Sequence, residues 1–142
     1  MSGIKVLFVC IHNSARSQMA EAFLNTLGEG RFQAESAGLE PGKLNQLVVK
    51  SMSEEGIDIS GNRTKDVFDF HRQGKKYDYV ITVCDEASGE RCPIFPGALK
   101  TLHWSFADPS SFKGSDEEKL KRISEVRKAI KTKVVEFIKT LA

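Results

Sequence analysis

Two patterns alternate along this chain: short runs of β-branched and aromatic residues, and longer stretches with apolar side chains at every third or fourth position. Residues 4–9, Ile-Lys-Val-Leu-Phe-Val, read as a buried strand. From about Ser17 to Leu27 a helix is expected, with Met19, Ala20, Phe23, Leu24 and Leu27 on one face and Gly28 at its stop. Residues 32–36 form a second strand candidate, followed by the turn-rich stretch 37–42. Asn45 to Glu55 reads as a helix stopped by Gly56, and Lys65 to Arg72 as a short one. Residues 77–84 are the third strand, ending at Cys84, and 99–104 a weaker fourth. The last helix is the clearest. Ser115 and Glu118 have capping-box spacing, and Leu120, Ile123, Val126, Ile130, Val134, Phe137 and Leu141 follow at helical intervals. Strands alternating with helices imply an α/β fold, a parallel sheet covered on both faces. Ligands of such sheets bind beyond the carboxyl ends of the strands, and Cys10 and Cys84 both sit at such ends.

A length of 142 residues, 40% hydrophobic and 28% charged, fits one soluble domain spanning 1–142. The net charge of +2 gives no reason to expect nucleic acid or a membrane surface as partner. The apolar run Ile4 to Val9 is too short for a signal peptide or a membrane span, so a cytoplasmic location is expected, with the monomer as default. Three cysteines, Cys10, Cys84 and Cys92, are an odd number in a reducing compartment. A static disulfide is not expected there. The absence of a close Cys-x2-Cys pair argues against zinc.

The segment Cys10-Ile11-His12-Asn13-Ser14-Ala15-Arg16-Ser17 joins the first strand to the first helix. In such a turn, successive backbone N–H groups point inward with the helix N-terminus behind them, making a nest for a tetrahedral anion. Arg16 adds a planar fork that can hold two oxygens. Cys10 faces the same partial positive charge, so its pKa is expected well below the free value of roughly 8.5. Asn13 tolerates left-handed backbone, and Ser14 or Ser17 can donate a hydrogen bond to the sulfur. The competing reading of Cys10 is a buried strand-end residue. The arginine six positions on, with a helix directly after, favours the anion site. His12 reads as a loop residue facing solvent or a backbone partner, and His71 and His103 as structural or surface residues.

Residues 10–17 resemble the phosphate-binding loop of low-molecular-weight protein tyrosine phosphatases. The longer string from Asn13 to Glu21 resembles the arsenate reductase branch of that family. So do Ser36-Ala37-Gly38, Gly56-Ile57-Asp58-Ile59-Ser60, Cys84, Cys92-Pro93, His103-Trp104 and Asp108-Pro109. The resemblance runs over essentially the whole chain. It implies a three-layer sandwich with a four-stranded parallel sheet flanked by helices. It also implies no organic cofactor.

The loop alone does not separate the two activities, because phosphate and arsenate share shape and charge. In a phosphatase, water hydrolyses a cysteinyl-phosphate, and Asp108 matches the family's general acid. In a reductase, a second thiol attacks Cys10 and expels reduced arsenic. The resemblance implies a relay in which Cys84 attacks Cys10, Cys92 attacks Cys84, and thioredoxin reduces the resulting disulfide. The polar stretch Asp85 to Arg91 between the last two cysteines is expected to be exposed and mobile. Phosphatases of this family carry aromatic residues beside the pocket, whereas only Ser110, Ser111 and Phe112 follow Asp108-Pro109 here. The arsenate reductase reading is therefore preferred. A non-catalytic oxyanion sensor is the third possibility and needs Cys10 to stay protonated.

Three departures from the family pattern stand out. The stretch between Cys84 and Cys92 is one residue longer than thioredoxin-linked reductases lead one to expect. An insertion falls near Gly61 to Arg63, and Ala15 replaces a cysteine seen in several relatives. The resemblance also implies a potassium ion beside the loop, at positions matching Asn13, Glu21, Ser36 and Asp66. All four offer oxygen, as a hard cation requires. The simpler reading of Glu21 and Asp66 is surface charge.

Overall fold

The structure is a computed structural model describing residues 3–84 and 95–141. The elements are β1 (Ile4–Cys10), α1 (Arg16–Leu27), β2 (Phe32–Gly38), α2 (Gln46–Ser53), α3 (Val67–Arg72), β3 (Tyr77–Cys84), β4 (Ala98–Ser105), a 3-10 turn (Pro109–Ser111) and α4 (Asp116–Thr140). The four strands are all parallel, in the order β2-β1-β3-β4. The chain builds outward from β1 in both directions, first to β2 and later to β3. The carboxyl end of β1 is therefore the switch point where a parallel sheet opens a crevice. Cys10 is the last residue of that strand.

The pleat of the sheet sorts its side chains into two cores. Val6, Phe8 and Cys10 of β1 share one face with Ile81 and Val83 of β3, beneath residues of α1, α2 and α4. Leu7, Val9 and Val80 share the other with Val67 and Phe70 of α3, and with Tyr77 and Phe95. This two-sided burial is why the two central strands, β1 and β3, read as largely apolar runs. Trp104 of β4 packs against Phe8 and Phe137, with ring centroids 5.6 and 5.8 Å apart. Burial of one such side chain contributes about 1.5–3 kcal/mol. Among the described residues, no helix is long and apolar enough to cross a membrane.

Side-chain caps move several boundaries from where periodicity puts them. Asn45 lies outside α2, and its Oδ1 accepts the N–H groups of Leu47 and Val48 at 3.0 and 3.2 Å. Asp66 likewise caps α3 by accepting from the Phe68 N–H at 2.8 Å. These helices start at Gln46 and Val67, not at Asn45 and Lys65. β1 and β2 run further than expected because their register continues to Cys10 opposite Gly38. The capping box of Ser115 and Glu118 is formed.

α4 is tied to α2 through Arg127. Its buried guanidinium donates to the Ser51 carbonyl at 2.7 Å, to Ser51 Oγ at 2.9 Å and to Glu54 Oε2 at 2.9 Å. Glu55 lies 3.3 Å from Arg127 Nε and accepts from Lys131 Nζ at 2.9 Å. The Lys131 hydrogen bond, helped by the charges of Lys131, Arg127 and Lys128, holds the Glu55 carboxyl below its ordinary value. A lowered carboxyl stabilises the fold above the ordinary glutamate range, near about pH 4.3, and that contribution is lost as pH falls through the lowered value. Arg127→Met strands the buried polar atoms of Ser51 and is expected to cost about 2–3 kcal/mol in denaturant unfolding. Glu55→Gln, at a carboxylate that reaches solvent, is expected to cost about 0.5–1 kcal/mol at pH 7 and less at pH 3. An equal loss at both pH values would contradict the assignment.

Candidate active site

Residues 10–17 form a loop between β1 and α1 in which nearly every side chain is buried. The Cys10 sulfur accepts the Asn13 backbone N–H at 3.0 Å. It also lies 2.9 Å from Ser17 Oγ. Asn13 Nδ2 donates to that same hydroxyl at 2.8 Å. With the amide donating to it, the hydroxyl keeps its own proton for the sulfur when Cys10 is a thiolate. Asn13 has φ 54°, the left-handed geometry that a tightly curled loop demands. Its amide cannot be flipped, because Oδ1 accepts the Lys65 backbone N–H at 2.9 Å. The residue preceding α1 is Ala15, which has no side-chain oxygen to cap the helix. The first N–H groups of α1 thus face the loop interior, where an anion is favoured.

The outer wall of the loop is backbone. Leu39, Glu40 and Gly42 donate N–H groups to the carbonyls of Cys10, Ile11 and His12, at 3.1, 2.7 and 3.0 Å. Asn45 donates to the Ser14 carbonyl at 3.0 Å. The His12 ring turns outward and its Nδ1 pairs with the Glu40 carbonyl at 2.9 Å, a backbone partner as expected. Gly38 is required where β2 meets the loop. A Cβ there would stand 2.8 Å from the Ile11 carbonyl oxygen and 2.9 Å from the Asn13 nitrogen.

Arg16 is buried. Its Nη1 donates to the Phe106 carbonyl at 3.2 Å, and Nη2 lies 3.8 Å from Asp108 Oδ2. Asp108 is itself held by accepting the Ser110 N–H at 2.9 Å, as cap of the 3-10 turn. The structure therefore brings Cys10, Arg16, Ser17 and Asp108 to one place. Phe112, the aromatic residue nearest after Asp108, is buried in the core with the Arg122 guanidinium 4.0 Å over its ring. It is not on offer to stack on a substrate.

Burial pushes the Cys10 thiol up from its ordinary value. The Ser17 hydroxyl, the Arg16 charge and the backbone N–H groups of Asn13 and Ser17 pull the other way without overcoming it. This corrects the expectation of a lowered pKa. Sequence spacing shows the helix and the arginine but not the depth at which the sulfur lies.

Cys84 is the last residue of β3, the strand beside β1, and is fully buried. Val9 pairs with Thr82, so Cys10 falls level with Val83 and Cys84 lies one residue beyond. Side chains alternate across a strand, so Cys84 leaves the sheet on the face of Val9, opposite to Cys10. The Cys84 carbonyl accepts the Phe106 N–H at 3.1 Å. Cys92, and the stretch Asp85 to Arg91 expected to be mobile, lie outside the described residues.

Residues 5–142 match the sequence model of the family named low molecular weight phosphotyrosine protein phosphatase. The chain belongs to that family. Within this phosphatase family its relatives include the arsenate reductase of Bacillus subtilis strain 168, 39% identical over 135 residues, with 95% of each chain covered. A solved structure described as an arsenate reductase in the phosphate binding state superposes with a TM-score of 0.80 at 34% identity, covering 98% of this chain and 99% of the other. The thioredoxin-dependent arsenate reductase Cg_ArsC1' of Corynebacterium glutamicum superposes with a TM-score of 0.60 at 29% identity, covering 93% of this chain and 62% of that one.

In this member of the phosphatase family, the four positions matched to a potassium ion are committed to protein partners. Asn13 Oδ1 accepts from Lys65 and from Gln18 Nε2, the latter at 3.1 Å. Glu21 Oε1 accepts Ser36 Oγ at 2.8 Å and faces Lys65 Nζ at 3.3 Å. Asp66 caps α3. An ammonium already neutralises Glu21, so the donor set does not fit a potassium ion while Lys65 stands there.

Sequence reasoning missed the braces behind the loop. Gln18 Nε2 reaches the Asn13 and Arg63 carbonyls at 3.1 and 3.0 Å, and its Oε1 accepts from Asn62 Nδ2 at 3.0 Å. The insertion near Gly61 to Arg63 thus supports the loop. The available signal was that Arg16, Ser17 and Gln18, three consecutive polar residues, open a helix between apolar neighbours.

Ser17→Ala removes the strongest influence that lowers the Cys10 pKa. The pH profile of Cys10 alkylation should move to higher pH, and an unmoved profile would show that the hydroxyl does not hold the sulfur. Gly38→Ala drives a Cβ into the loop backbone and is expected to cost about 1–3 kcal/mol together with oxyanion binding. Calorimetry with inorganic phosphate reads both.

Proposed function

We propose that this chain is an arsenate reductase working through a Cys10, Cys84, Cys92 thiol relay regenerated by thioredoxin. The observation that carries the reading is a buried sulfur gripped by Ser17 and Asn13 within an arginine-bearing loop, with a second buried thiol ending the adjacent strand. The names of the relatives support the substrate, and that of the Corynebacterium glutamicum protein supports the reductant.

In this reading the N–H groups of residues 11–17 that are not spent on the Cys10 sulfur, together with the Arg16 fork, bind the anion. Cys10 passes its proton toward the arsenic oxygen that will leave and attacks arsenic(V) as the thiolate. A sulfur–arsenic bond forms and one arsenic oxygen leaves as water, taking the thiol proton. Asp108 stands beside Arg16, where it can carry that proton. The Cys84 thiolate then attacks the Cys10 sulfur. A disulfide forms, the sulfur–arsenic bond breaks, and its electron pair leaves with arsenic, now arsenic(III), as arsenite. Cys92 attacks Cys84, returning Cys10 to the thiolate, and a thioredoxin dithiol reduces the Cys84–Cys92 bond. The thiols supply both electrons, and no organic cofactor is needed. The domain is 1–142, acting as a cytoplasmic monomer.

Cys84 and Cys10 leave the sheet on opposite faces, so the second step requires the end of β3 to part from its neighbours. Cys84→Ser is expected to stop the reaction after the adduct, and Cys92→Ser to accumulate a Cys10–Cys84 disulfide. Both should bind phosphate as the wild type does. Disulfide mapping by mass spectrometry after incubation with arsenate, with and without thioredoxin, reads each state. Multiple turnover in either variant would end the relay reading.

Hydrolysis of phosphate monoesters is the second reading, favoured by the 3.8 Å approach of Asp108 to Arg16. Asp108→Asn should then lower aryl phosphate hydrolysis by about 10²–10⁴-fold. The buried Phe112 argues that such turnover is slow in the wild type.

A further inference from the structure

Lys65 meets the oxyanion loop through three separate groups. Its backbone N–H donates to Asn13 Oδ1 at 2.9 Å. Its carbonyl accepts the Gly38 N–H at 2.8 Å, at the end of β2. Its ammonium lies 3.3 Å from Glu21 Oε1 on α1. That same carboxylate oxygen accepts the hydroxyl of Ser36, which is fully buried in β2.

Three of the four positions matched to a potassium ion therefore converge on one lysine, Asn13 and Glu21 directly and Ser36 through Glu21. The fourth, Asp66, uses one carboxylate oxygen to cap α3. Glu21 is largely withdrawn from water, at 16% side-chain exposure, and a carboxylate so placed needs a positive partner. Both K⁺ and an alkylammonium are compact monovalent cations that bind oxygen. A second cation at the same carboxylate would be repelled by the first.

We propose that the Lys65 ammonium is a tethered cation standing in for a potassium ion beside the loop, so that the loop is ordered without a metal. Tethering suits the role: the backbone of Lys65 is already pinned to Asn13 and Gly38, so only its side chain has to be ordered. Lys65 is thus a positioning residue. Its backbone N–H holds Asn13, while its ammonium steadies Glu21 and, through Glu21, Ser36, which fix α1 and the end of β2 around the loop.

The inference rests on the oxyanion-loop reading but not on which anion reacts there. Its readouts are melting temperature and the rate of Cys10 alkylation, mapped by mass spectrometry, and neither needs turnover. Both are measured in KCl, NaCl and tetramethylammonium chloride at equal ionic strength. The wild type should behave alike in all three salts. Lys65→Met keeps the backbone contacts and loses the cation. It should melt lower in tetramethylammonium chloride and regain about 2–4 °C, saturably, as K⁺ replaces it. Its alkylation rate should return toward the wild-type value in parallel. Lys65→Arg should match the wild type. Should Lys65→Met fold only when K⁺ is present, the proposal is supported. Specific stabilisation of the wild type by K⁺ would overturn it. So would a Lys65→Met variant that responds to all three salts alike, or one that folds in none of them.

Discussion

Asn13 is the residue around which the loop closes. Its backbone N–H points at the Cys10 sulfur, its amide nitrogen orients the Ser17 hydroxyl, and its amide oxygen receives the Lys65 N–H. None of these bonds forms unless the backbone at Asn13 turns left-handed, with φ 54°. That geometry strains most side chains but is tolerated by asparagine. The strain is offset by burying every polar atom of the residue against a partner. Gln18, Asn62 and the Arg63 carbonyl then brace it from outside. A cradle for an anion is thereby built almost wholly from backbone, with one guanidinium for charge.

The depth of this cradle has a chemical price. The sulfur that must act as nucleophile is almost completely removed from water, and burial outweighs the hydroxyl and the arginine that favour its anion. The proton that the sulfur sheds as it becomes the attacking thiolate is available to the departing oxygen. A protonated sulfur suits a resting enzyme as well, since the thiol is far less prone to stray oxidation than the thiolate.

Much of the fold was legible in the sequence because a parallel sheet buries both faces of its strands. The runs at residues 4–9 and 77–84 therefore carry a strong apolar signal, broken only by Lys5, Asp78 and Thr82, and the third strand matches to the residue. The oxyanion loop was legible because its logic is local: a strand, five residues and a helix. What could not be read was what distance in sequence hides. Lys65 and Glu21 are 44 positions apart, and nothing local marks them as an ion pair. The raised thiol, the brace supplied by the insertion and the opposite-facing side chains of Cys10 and Cys84 likewise depend on packing and register. The caps at Asn45 and Asp66 were misjudged by one and two positions because a capping residue resembles the helix it opens.

Phe106 is bonded to two parts of the site at once. Its N–H is bonded to the carbonyl of Cys84, and its own carbonyl receives the Arg16 guanidinium. In the proposed chemistry, any withdrawal of Cys84 from the sheet pulls on the residue that steadies Arg16. The grip on the bound oxyanion would slacken at the very stroke that leaves a reduced, more weakly charged product to be let go.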